Sequence, residues 1–455
     1  MRLSLDYTIL RKHYESMHKK LTLLWLILGL GSKLQVISSL SITELIVLIS
    51  APFLFIRGYR QLRNDGVMPF FLISLMVILG CIVGSIANGT RASFVLRGLA
   101  VTVLIACSII VSHWLIRRDP AGFKWFILAV PISIIISTFY FKASVEMSML
   151  GESSEEIMRG PIFWITRLTP LVLAPTKGWY LQMPTLVNVT APLFMAAFAI
   201  LTSISGRSVA LSAIGFTALV IMGGKTRRSM SRISRHFWLF CLIGISLVCV
   251  AYIGYKVSAS NGWLGEDALR KYENQSEGGK GGLGRLILGG RGESFIGLLA
   301  CRDKPIVGWG PWARDENGYT EEFLLKYGTF DDYQKFLGYQ SFLCRNGITD
   351  RMLSCHAYIT EFWAWYGIWG LVFWLYVIFV LLRYLKQDIA AVPQWYAWLA
   401  CSIPGVFWGI FFSPFADRFG VPLFVVACLM ARAVRRGRFQ LPPEMIREIE
   451  KAERK

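Results

Sequence analysis

Gly289-Gly-Arg291-Gly, Lys304-Pro305-Ile306-Val307-Gly308-Trp309-Gly310 and Cys355-His356-Ala357-Tyr358-Ile359-Thr360-Glu361 mark the start, middle and close of the one long polar run in this chain, from about Lys256 to Ala357. On either side the sequence reads as membrane. Apolar stretches recur that approach the length needed to cross roughly 30 Å of hydrocarbon. They are continuous rather than alternating, which argues for helices and against a β-barrel.

Composition agrees. Of 455 residues, 54% are hydrophobic and only 17% charged, and the mean hydropathy is +0.49. A soluble protein of this length needs more charge to cover its surface. The net charge of +19 is unevenly spread: from Val257 to Ala357 there are 13 acids and 12 bases, which leaves 36 of the 48 bases and 16 of the 29 acids elsewhere. Those bases cluster in short segments between apolar runs, the pattern of cytoplasmic loops and not of a nucleic-acid surface.

Outward from the polar run, apolar stretches are expected at about 21–39, 42–56, 69–87, 94–116, 123–142, 161–176, 186–204, 208–223 and 236–256 before it, and at about 358–382, 393–412 and 419–434 after it. The basic breaks Arg57…Arg63, Arg117-Arg118, Lys225…Arg235, Arg383…Lys386 and Arg432…Arg438 fall on one side. The fold class expected is an all-α polytopic membrane protein of about twelve transmembrane helices, with both termini cytoplasmic and one large extracytoplasmic loop. The 161–176 and 186–204 pieces either cross separately or form one re-entrant hairpin, and parity holds either way. Four segments follow: membrane helices over 1–256, the loop over 257–357, membrane helices over 358–440 and a tail at 441–455 that reads as a short charged helix. The basic lead-in, residues 1–20, lacks the cleavage site of a signal peptide. There is no internal repeat.

Three residues share the outer side under this topology: Arg207, at a helix end in Thr202-Ser-Ile-Ser-Gly-Arg207-Ser-Val-Ala-Leu211; Arg291, which opens a helix-like stretch; and His356, where the loop meets the next span. A guanidinium near the bilayer is costly, and its forked donors match phosphate oxygens. Histidine exchanges a proton near neutrality. Together they suit holding a lipid-linked diphosphate as leaving group while a hydroxyl is deprotonated. Each also has a plainer reading: Arg207 as an interfacial anchor, Arg291 as a solvated loop residue, His356 as a satisfied buried histidine.

Other features carry less. Gly278-Gly-Lys280-Gly-Gly-Leu-Gly284 lacks the spacing of a phosphate loop, and the acidic pairs Glu321-Glu322 and Asp331-Asp332 read as solvated. Trp309, Trp312, Tyr319, Tyr339 and Tyr358 suit sugar stacking or ordinary packing equally well. Of nine cysteines, Cys81, Cys107, Cys241, Cys249, Cys401 and Cys428 lie in apolar runs and Cys301, Cys344 and Cys355 in the loop; a Cys344–Cys355 disulfide is one option. No CxxC pair suggests a structural zinc.

The closing stretch resembles the O-antigen ligase and O-antigen polymerase superfamily. Its ligases carry a histidine followed by Asn, Ser or Gln, nine residues, a glycine, two residues and often a second glycine. Here the order is His356-Ala357, Tyr358 to Tyr366, Gly367, Ile368-Trp369 and Gly370, with Ala357 in place of the polar residue. Arg291 followed by Pro305-Ile-Val-Gly308-Trp-Gly310 resembles the family's arginine and Pro-x-x-Gly-x-Gly element, and Arg207-Ser-Val-Ala-Leu211 its Arg-x3-Leu or Ser-Arg-Gly helix, with Gly206-Arg207-Ser208 departing from strict Ser-Arg-Gly. The resemblance covers roughly residues 186–385. It implies a fold related to the lipid-dependent GT-C-type glycosyltransferases and an inverting, metal-independent glycan transfer without cofactor. The donor would be an undecaprenyl-diphosphate glycan and the acceptor a lipid A-core sugar, or another glycan in a polymerase, at the periplasmic face of a bacterial inner membrane. His356 would then be the general base, Arg207 and Arg291 the diphosphate ligands, and Arg285 and Arg302 further ligands of the same anion. A flippase or transporter is the reading of a different class, although the long loop and the absence of repeated halves are atypical of one.

Overall fold

The computed structural model describes residues 19–126 (except 33, 38 and 39), 227–263, 292–327, 357–412 and 418–454, with isolated residues between these stretches. A helix at 19–31 (α1) leads into a short antiparallel ribbon of Gln35–Ile37 (β1) and Leu40–Ser41 (β2). The run expected at 21–39 therefore ends early. Ser41 closes the ribbon and caps α2 (Ile42–Asn64): its hydroxyl accepts from the Glu44 amide at 3.2 Å while the Glu44 carboxylate accepts from the Ser41 amide at 2.8 Å. This reciprocal box satisfies two amide donors that would otherwise have no partner, and Glu44 also pairs with Arg418 at 3.3 Å.

Arg57, Arg60 and Arg63 do not break the chain as expected. They form the last turns of α2, because arginine is a good helix former whose stem can lie along the helix while its head reaches water. α3 (Met68–Ala87) has Pro69 in its first turn and no charged residue, and α4 (Ala92–Arg118) ends on Arg117 and Arg118. Then come α5 (Arg227–Arg235), α6 (Phe237–Ser260), α7 (Gly292–Asp303) and α8 (Tyr319–Tyr327). The run expected at 358–382 divides at Gly367 into α9 (Tyr358–Tyr366) and α10 (Ile368–Arg383), which continues as a π-helical turn, Tyr384–Asp388. α11 (Pro393–Phe412), α12 (Gly420–Arg435) and the expected tail helix α13 (Pro443–Arg454) complete the described chain. The stretches expected at 161–176, 186–204 and 208–223 lie outside the described residues, as does most of 123–142.

The described protein is predominantly helical. Four of its helices, α2, α3, α4 and Ile368–Asp388, are long and apolar enough to cross a membrane. α4 is central: α2, α3 and α12 all pack on it. Phe70, Phe362, Phe373, Trp374 and Phe424 are fully buried in the core. Outward faces carry Ile49, Phe53 and Ile56 on α2, and Leu72, Leu79 and Ile86 on α3. So continuous an apolar surface is unusual in water and expected against acyl chains.

The two ends of this bundle differ. At one end Asn88, just past α3, donates to the Gly308 carbonyl at 3.0 Å, and Gly98 of α4 lies against Pro311. At the other, Asp65 sits with its carboxylate wholly buried 2.8 Å from His113 Nε2 and 2.5 Å from Arg117, and the Phe439 ring lies against the Arg117 guanidinium. The 304–311 segment and the C-terminal tail therefore sit at opposite ends of α4.

Candidate functional site

The nine residues that separate Ala357 from Gly367 are α9 itself, two and a half turns or about 14 Å of helix. Gly367 ends it with φ +63 and ψ −149, a conformation open in practice to glycine alone. A helix that stops leaves its last carbonyls without partners. Here the Pro305–Gly310 segment supplies them. The Trp309 amide donates to the Ala364 carbonyl at 2.7 Å and the Gly310 amide to Trp365 at 3.1 Å, while the Ile368 amide, opening α10, donates back to Ile306 at 3.0 Å. The indole of Trp363 donates to the Pro305 carbonyl at 2.9 Å.

This backbone-to-backbone strap explains the glycines of both motifs. A Cβ on Gly308 would stand 2.5 Å from the Gly367 nitrogen, one on Gly367 2.0 Å from the Ile306 oxygen, and one on Gly370 2.1 Å from the Phe362 oxygen. Gly308 and Gly310 also take positive φ, 76° and 83°. The two sequence patterns, far apart in the chain, are halves of one joint.

α7 is fixed to the same joint. Gly297 lies so close to Cys355 that a Cβ there would come within 2.8 Å of its sulfur, and the Cys301 thiol donates to the Thr360 carbonyl at 3.9 Å. The indole of Trp309 donates to the Ala300 carbonyl at 2.9 Å. Burial pushes the Cys301 thiol up to about 12, and the Cys355 thiol well above its ordinary value. Both are free thiols, so the Cys344–Cys355 bridge is not formed.

His356, Arg207, Arg285 and Arg291 lie outside the described residues. Their neighbours are described: α7 begins at Gly292, directly after Arg291, and the buried residues Cys355 and Ala357 flank His356. Ala357 is the N-cap of α9 and, lacking a side-chain acceptor, leaves the cap unmade. Arg302 ends α7, its Nε 3.0 Å from Asp303 and one terminal nitrogen 3.5 Å from Glu322. It is held by two carboxylates at the surface.

No family model, curated protein or solved structure matches this chain.

Two residues of the joint escaped the sequence reading. Asn88 bridges the Gly84 and Gly308 carbonyls and accepts from the Lys304 ammonium, which also lies 3.8 Å from the centre of the Trp309 ring. The hint was the position of Lys304 immediately before the Pro-x-x-Gly-x-Gly element; nothing local marks Asn88. The aromatic residues are packed against protein: Trp309 edge-on to Tyr319, Trp312 stacked on Trp365 at 4.7 Å, and Tyr358 on Trp374. Tyr339 lies outside the described residues. Asp303 accepts from the Tyr319 hydroxyl at 2.6 Å; that bond, then Arg302, holds the Asp303 carboxyl below its usual range. Burial and the bond to Asp303 push Tyr319 up to about 12. Asp315 caps α8 with both oxygens, on the amides of Tyr319 and Thr320.

Proposed function

We propose that this chain is an O-antigen ligase-like, metal-independent inverting glycosyltransferase that moves a polysaccharide from undecaprenyl diphosphate to a lipid A-core sugar. It would act at the periplasmic face of a bacterial inner membrane, on a GT-C-type fold of about twelve spans. The observation that carries the reading is the joint: the Pro-x-x-Gly-x-Gly element meets the end of the helix that follows His356, and the helix that follows Arg291 packs on its start. A transferase needs its base and its anion-binding groups held on one rigid frame.

In the reaction, His356 takes the proton of the acceptor hydroxyl. The oxygen attacks the anomeric carbon from the face opposite the diphosphate. The bond from carbon to phosphate oxygen breaks with its electron pair on the leaving group, and Arg207 and Arg291 neutralise the undecaprenyl diphosphate released, with Arg285 and Arg302 as further ligands. No cofactor is needed for this step.

The test uses purified protein, an undecaprenyl-diphosphate glycan and lipid A-core, with EDTA present. Glycan on the core, lost in His356→Ala and Arg291→Ala, is the expected result. Arg291→Lys should fall at least about tenfold, because a point charge does not replace a bidentate fork. Longer undecaprenyl-linked chains with unmodified core would make the protein a polymerase. Neither product would return a transporter to first place, and full activity in all three variants would overturn the site.

A further inference from the structure

At the end of the bundle opposite the joint, the last turns of α10 and α12 concentrate positive charge. Arg383 ends α10, and Arg432, Arg435 and Arg436 end α12. One carboxylate serves Arg383, Arg432 and Arg435. Asp388, buried in the π-helical turn, pairs with Arg435, whose other nitrogen reaches Gln387 at 3.3 Å. Arg383 and Arg436 lie close enough to Arg432 for their charges to repel it, with the Asp388 carboxylate offsetting them. Among the described residues Arg383, Arg432 and Arg436 form no ion pair, and the buried Nε of Arg383 has no hydrogen-bond partner. Three guanidiniums around one carboxylate leave an excess of two positive charges, and Arg436 adds a further one beside Arg432. Crowded cations of this kind attract an anion.

Directly along α10 from Arg383, Leu375, Phe379 and Leu382 form an exposed apolar stripe at helical spacing. The Arg383 guanidinium lies 5.9 Å from the Phe379 ring. α5, with Arg232 and Arg235 in its last turn, packs on the same π-helical turn. A cationic cluster at the ends of two helices, beside a stripe suited to an acyl chain, has the chemistry of an anionic phospholipid site. Guanidiniums grip a phosphate diester through paired donors. We infer that Arg383, Arg432 and Arg436 bind the phosphate of an anionic phospholipid whose acyl chain lies along Leu375, Phe379 and Leu382. Arg383 lies about 24 Å along α10 from Ile368, where that helix meets the strap.

The experiment takes delipidated full-length protein in neutral detergent. It follows thermal unfolding against added phosphatidylglycerol, phosphatidylcholine or inorganic phosphate. Phosphatidylglycerol should raise Tm saturably. Phosphatidylcholine, with no net charge, and inorganic phosphate, with no acyl chain, should each raise it far less. Arg383→Gln and Arg432→Gln should each weaken the phosphatidylglycerol response roughly tenfold in concentration, the loss of one charge-assisted contact. Where Arg383→Gln lowers the lipid-free Tm, Arg383→Lys keeps the charge and loses the fork, and its response should fall between wild type and Arg383→Gln. Equal stabilisation by the two lipids, a response to inorganic phosphate matching that to phosphatidylglycerol, or unchanged titrations in the variants would each overturn the assignment.

Discussion

Gly367 carries three constraints at once: a backbone angle closed to other residues, a Cβ position only 2.0 Å from the Ile306 oxygen, and the end of α9. Gly367→Ala should therefore cost about 1–3 kcal/mol for the backbone and about 1–3 kcal/mol more for the clash. A detergent melt equal to wild type would show that the strap does not press on this position. At the same joint, the buried thiols Cys301 and Cys355 should resist maleimide in the folded protein at neutral pH and react after denaturation in SDS. The signs agree with burial: Cys301 moves from 9.0 to about 12 and Tyr319 from 10.0 to about 12, so both favour the folded state below their ordinary values. That contribution is lost as pH rises from about 9 toward 12. Native labelling of these thiols at neutral pH would contradict the packing of α7 on α9.

Among the elements, the Asp65–His113–Arg117 cluster ties the turn after α2 to the end of α4. Asp65→Ala leaves an imidazole and a guanidinium without their shared carboxylate and should cost about 3–5 kcal/mol; a melting temperature within a degree of wild type would refute that. The sequence made most helices legible, because their apolar runs are long and their ends are basic. It misplaced boundaries where local chemistry does not decide. Arg57 to Arg63 read as a break, yet nothing in an arginine stops a helix. The 358–382 run read as one span, since periodicity does not reveal that Trp309 and Gly310 satisfy the carbonyls freed at Gly367. The glycines of the motifs were visible as a pattern; their pairing with one another was not, because it depends on contacts between segments some sixty residues apart.

Across the whole molecule, the two ends of the bundle are built from different segments. Lys304 and Asn88 mark one end, and Arg117, Arg435 and Phe439 the other. Cysteines placed at the exposed positions of Arg91 and Arg438 should accordingly be labelled by a membrane-impermeant reagent from opposite sides of sealed vesicles. Labelling of both from one side would invert the reading of the bundle.

The Leu353 amide donates to the Ala313 carbonyl at 2.8 Å. Residues 314–352 are thus an excursion whose two ends are pinned together before the chain returns to Cys355. Closing such a loop depends only logarithmically on its length, about 0.6 kcal/mol for each doubling. Within it α8 belongs to the frame, since Tyr319 donates to Asp303 and lies edge-on to Trp309, so a change of loop length that leaves α7, strap and α9 intact must also spare 315–327.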